Sequence, residues 1–107
     1  MILGGFEIIG KAYNGEEAVS IFKSFSVKPK VILMDHRMPL KNGIEASKEI
    51  LRIERTTKII FTTADGSIKE EAFAIGAFSF LDKLFSIEYL IDEITRAFES
   101  YNSSLSD

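Results

Sequence analysis

The chain predicts an α/β domain built on a parallel sheet, and three observations carry that prediction. Short, continuously apolar runs recur at Val31–Asp35, Lys58–Thr63 and Phe78–Leu81, the pattern of strands covered on both faces. Segments of helical period separate them, as crossover connections between parallel strands require. The alternation is strict, giving the order β-α-β-α-β-α-β-α with four strands and four helices.

The elements follow in order. Phe6–Ala12 (FEIIGKA) is β-rich, and Gly4-Gly5 precedes it. Asn14 starts a helix, with Glu17 three residues on in the manner of a capping box, and Ala18, Val19, Phe22 and Phe25 form its apolar face. Pro29 ends the connection before the Val31–Asp35 strand. Gly43–Glu54 reads as a second helix because Ala46, Ile50 and Ile53 recur at helical spacing. Lys58–Thr63 is a strand ending in two hydroxyls. Ser67–Ile75 is a short third helix closed by Gly76 in a left-handed cap, and Phe78–Leu81 is the last strand. Ser86 caps a long helix to about Tyr101, whose residues Ile87, Leu90, Ile91, Ile94, Ala97, Phe98 and Tyr101 make one stripe. This gives one domain over residues 1–101 and a polar tail over 102–107.

Composition narrows the function. A net charge of −3 with scattered lysines and arginines argues against a nucleic-acid or anionic-membrane surface. With no cysteine, disulfides and thiolate metal sites are excluded. No apolar stretch approaches the roughly 18 residues that span a bilayer, and no signal peptide is legible. The expected location is the cytoplasm.

In such a sheet the carboxyl ends of the strands share one edge, where open α/β folds place their chemistry. Asp35, Thr63 and Lys83 fall there: a nucleophilic carboxylate, a hydroxyl donor and a cation. An acyl phosphate formed on Asp35 would use both of the others to neutralise its oxygens. By itself a strand-end aspartate is as often a cap as a nucleophile, a strand-end threonine bonds backbone, and a lone lysine is a solvated charge. His36 reads as structural, since no second histidine exists to share a metal, and Asp65 and Asp82 read as loop acids.

Three stations in register change that balance. LMDHRMPLKNG around Asp35, Thr63-Ala64 after the next strand and Phe80-Leu81-Asp82-Lys83 after the last, with Asn14-Gly15-Glu16-Glu17-Ala18 at the first helix start, resemble the receiver domains of two-component response regulators. The resemblance covers nearly the whole chain. It implies a flavodoxin-like (CheY-like) three-layer fold and a stand-alone signalling module rather than an enzyme. Asp35 is then the phosphoacceptor, taking a phosphoryl group from a histidine kinase or phosphotransfer protein and signalling to a downstream effector. The resemblance further implies Thr63 and the Ala64 backbone N–H as phosphoryl contacts, Lys83 as its ion-pair partner, and Thr63 with Phe80 as the switch pair. It implies Mg²⁺ held by Asp35 and the Arg37 backbone carbonyl.

The departures are equally specific. The family's first strand, its acidic pair and nearly all of its first helix have no counterpart here, so the expected fold is truncated at its N-terminus and the acidic pair for Mg²⁺ is absent. Leu84 replaces the proline that follows the lysine, and a cis bond without proline would cost about 3 kcal/mol, so a trans Lys83–Leu84 bond is expected. A missing first strand bares apolar surface. The expected remedies are direct pairing of Phe6–Ala12 with Val31–Asp35, cover from a second copy in a homodimer, or a longer natural chain that carries the missing strand. The alternative reading is a degenerate receiver that acts as a phosphorylation-independent dimerisation module. A nucleotide-binding domain of flavodoxin type is a distant third, for want of a Gly-rich phosphate loop.

Overall fold

A computed structural model describes residues 2–3, 6–82 and 85–105. Three strands, β3 (Val31–Met34), β4 (Lys58–Thr63) and β5 (Ser79–Asp82), form a parallel sheet in the order β3-β4-β5. The register pairs Val31 with Lys58 and Met34 with Phe61 on one side of β4, and Ile60 with Ser79 and Thr63 with Asp82 on the other. Successive side chains of β4 point to opposite faces, and this splits the core in two. Ile59 and Phe61 join Val19, Phe22, Ile44 and Ile50 from α1 (Gly15–Ser24) and α2 (Gly43–Ile53). Ile60 joins Leu90, Ile94 and Ala97 from α4 (Ile87–Leu105) on the other face. The result is the three-layer α/β architecture expected.

The caps explain where the helices begin. The Asn14 side chain accepts the Glu17 N–H at 2.8 Å, while Glu17 accepts from Tyr13 rather than returning to Asn14. The reciprocal capping box lies at α2, where Asn42 accepts the Glu45 N–H at 2.9 Å and Glu45 accepts the Asn42 N–H at 3.4 Å. Ser86 Oγ accepts the Tyr89 N–H at 3.1 Å to open α4. Gly76 sits at φ +107° as the left-handed turn expected after the third helix.

Four details differ from the sequence reading. Phe6–Ala12 is not a strand of the main sheet. Only β2 (Phe6–Glu7) is extended in a ladder, antiparallel to β1 (Ile2–Leu3). Packing decides this: the Phe6 ring stacks on Phe98 at 5.1 Å, and a Cβ on Gly10 would lie 3.2 Å from the Phe25 ring. The segment therefore lies against α4 and α1 and does not pair with β3. The third helix is divided, with one 3₁₀ turn (Gly66–Ile68) before α3 (Lys69–Ala74), because the Asp65 side chain takes the Ser67 N–H at 3.1 Å and caps the tighter turn first. The last strand is Ser79–Asp82, one residue later than expected. The last helix runs to Leu105 rather than Tyr101, since no Gly or Pro follows Tyr101 to stop it.

A buried carboxylate locks α4 to β5. Glu93 is 5% exposed. Its two oxygens accept from Ser79 Oγ and Arg96 Nη1, each at 2.6 Å, which meets the requirement that a buried charge be paired. Among the described residues no helix is long and apolar enough to cross a membrane.

The Asn42–Glu45 box is the better formed of the two asparagine caps. Asn42→Ala is expected to lower stability by about 1 kcal/mol, read as a lower urea midpoint with an unchanged slope.

Candidate functional site

The carboxyl ends of β3, β4 and β5 bring Asp35, Thr63 and Asp82 to one edge, with neighbouring strands about 4.8 Å apart in the register set by Met34–Phe61 and Thr63–Asp82. Lys83 and Leu84, with the bond between them, lie outside the described residues.

Asp35 is half-buried. Its Oδ1 accepts the Arg37 N–H at 3.2 Å, an Asx turn that bends the chain off the sheet. The His36 carbonyl then accepts N–H groups from Met38 and Gly43, both at 3.0 Å. This closes a tight loop from Asp35 to Asn42. Two glycines make it possible by leaving no side chain. A Cβ on Gly43 would stand 2.4 Å from the Asp35 carbonyl oxygen, and one on Gly15 would stand 1.8 Å from the Lys41 carbonyl oxygen. Leu40 adopts φ +69°, a left-handed conformation that costs a branched residue about 1–2 kcal/mol. The far end of the loop is tied by an ion pair between Lys41 and Glu49. The shared hydrogen bond holds the lysine above its usual range and the glutamate below its own.

Thr63 is 1% exposed, and its Oγ1 accepts the Asp65 N–H at 3.2 Å. Ala64, next along, is exposed. Asp65 accepts from both the hydroxyl and the N–H of Ser67, which hold its carboxyl below the usual aspartate range, with Arg37 and His36 adding smaller attractions. Arg37 Nη2 lies 3.8 Å from Asp65 Oδ2, a long and solvated pair that joins the loop after β3 to the loop after β4. Asp65 is thus a cap and a bridge rather than the free loop acid expected. His36 Nδ1 is buried without a hydrogen-bond partner. Phe80 is half-buried and packs against the α1/α2 core.

The sequence reading missed the steric role of Gly15, because its neighbour Lys41 is remote in the chain. It also missed the Asn42–Glu45 box, which the spacing N-x-x-E does signal.

The metal expectation is met only in part by these residues. Among the described residues no three His, Cys, Asp or Glu side chains come together to hold an ion. Asp35 and the Arg37 carbonyl would supply two of the six oxygens of a Mg²⁺ ion, the rest falling to water.

The family model of the response regulator receiver domain matches residues 3–95. The chain is 38% identical over 94 residues to the chemotaxis protein CheY of Thermotoga maritima, covering 86% of this chain and 77% of the relative. It is 39% identical over 95 residues to the transcriptional regulatory protein PdtaR of Mycobacterium tuberculosis, covering 87% of this chain and 45% of that one. The crystal structure of the CheX-CheY-BeF3-Mg+2 complex from Borrelia burgdorferi superposes with a TM-score of 0.81 at 25% identity, covering 88% of this chain and 72% of that one.

Two outcomes test the loop. Gly43→Ala is expected to destabilise by about 2–3 kcal/mol, since backbone must move to admit the methyl, measured by chemical denaturation. The lowered Asp65 carboxyl contributes stability that is complete above its unfolded value and is lost as pH falls through the folded one. The stability gap between the native chain and Asp65→Asn is therefore expected to be complete above about pH 5 and to narrow as pH falls below about 4, followed by thermal melts across that range.

Proposed function

Because the chain belongs to the response regulator receiver family, we propose that it works in two-component signalling by accepting a phosphoryl group on Asp35 from the phosphohistidine of a kinase or phosphotransfer protein. What supports the reading is the pairing of a half-buried carboxylate at the end of β3 with a buried hydroxyl at the end of adjacent β4. A carboxylate oxygen attacks phosphorus in line. The P–O bond forms as the P–N bond breaks, and the released imidazole nitrogen takes a proton from solvent. Thr63, the Ala64 N–H and Lys83 are the proposed donors to the transferred group. Thr63 would donate its O–H to that group while its oxygen still accepts the Asp65 N–H, and Phe80 beside the core would respond as the second half of the switch. A downstream protein that reads this change is the proposed output.

One observation favours a second reading. Among the described residues no cluster of carboxylates joins Asp35, so Mg²⁺ there would rest on one carboxylate and water, and this suits a receiver that binds partners without being phosphorylated.

Intact-mass measurement after incubation with a small acyl phosphate and Mg²⁺ separates the two. A gain of about 80 Da, one phosphoryl group, is expected, absent in Asp35→Asn and slowed at least about tenfold in Thr63→Ala or Lys83→Ala. No gain, in a reaction where the Thermotoga relative is labelled, rejects the first reading in favour of the second.

A further inference from the structure

At the far end of α2 from Asp35, an open groove of about 490 Å³ lies between that helix and the turn from α3 into β5. Its walls are Lys48, Leu51, Arg52, Arg55, Ile75 and Gly76. Lys48 and Arg52 stand one turn apart on α2, and Arg55 follows just past its end. All three cations are exposed. Leu51 and Ile75 are half-buried and pack against the α1–α2 core. Cations that look scattered in the sequence thus converge around an apolar floor. Gly76 keeps that floor open, since a Cβ there would press on Leu51 at 3.3 Å.

Two features select the occupant. The first is uncompensated charge. No carboxylate lines the groove, although the chain as a whole carries a net charge of −3. The neighbouring acids are engaged elsewhere. Glu49 is held chiefly by Lys41, and Glu54 by the hydroxyl and N–H of Thr56, while Arg52 and Arg55 add only lesser attractions to them. Among the described residues no ion pair, hydrogen bond or ring contact holds the charged heads of Lys48, Arg52 or Arg55. The helix dipole accounts for Arg52 in the last turn of α2, but its reach ends there and leaves Lys48 and Arg55 unexplained. The second feature is the floor. A nucleic-acid backbone would satisfy the cations yet leave Leu51 and Ile75 uncovered. We propose that the groove docks an acidic segment of a partner protein, whose carboxylates flank one or two large apolar side chains seated on Leu51 and Ile75. The groove shares no residue with the Asp35 edge, so this docking stands apart from phosphoryl acceptance.

Amide chemical-shift mapping of the full 107-residue chain with the peptide Glu-Asp-Glu-Leu-Leu-Asp-Glu-Asp tests this. Shifts are expected to centre on residues 48–55 and 75–76 and to saturate with a Kd below about 1 mM. Serines in place of the peptide's leucines are expected to weaken binding at least about fivefold. Arg52→Glu, at an exposed position, is expected to weaken it at least about tenfold. The mapping needs no variant to fold, and the spectrum of Arg52→Glu reports its own fold. Absence of shifts, shifts centred elsewhere, or equal binding of the serine peptide would overturn the proposal. Tighter binding of a single strand of about ten nucleotides than of the leucine peptide would overturn it in favour of nucleic acid.

Discussion

The structure depends on β4 being bonded along both edges and covered on both faces. Ile59, Ile60 and Phe61 are wholly buried, and each serves a different layer from its neighbour. The strand thereby fixes where α2 and α4 sit. The same register sets the height at which each strand ends, and so brings Asp35 and Thr63 to a common edge. A slip of one residue would exchange the two cores and move the hydroxyl away from the carboxylate.

The loop after β3 is the second constraint, and it is steric rather than attractive. Gly15 and Gly43 each admit a carbonyl oxygen where any side chain would stand. Their cooperation ties the start of α1 to the loop that carries Asp35, so two helix N-termini and the strand end move as one body. Strain at Leu40 is held in place by this packing.

Much of this was legible in the sequence. Continuous apolar runs mark strands buried on both faces, and their last residues mark the edge, so Asp35 and Thr63 could be named. What remained hidden was decided by contacts remote in the chain. Phe6–Ala12 has strand composition, yet Phe98 and Phe25 draw it away from the sheet. Asp65 looked solvated because its link to Arg37 crosses between two loops. Ser79 and Glu93 are ordinary surface types whose mutual bond is invisible until α4 is laid on β5. The end of the last helix was misjudged because the apolar stripe stops at Tyr101, whereas the backbone continues wherever nothing breaks it.

The strand order also has a kinetic meaning. β3, β4 and β5 are neighbours in the sheet in the order in which they occur in the chain, so each parallel ladder closes over one helical crossover. That is the shortest closure a parallel pair allows, and it keeps contact order low for a parallel sheet. The core on the α1–α2 face is complete only when Val19 and Phe22 of α1 reach Ile59 and Phe61, so that layer is shared between the two halves of the chain.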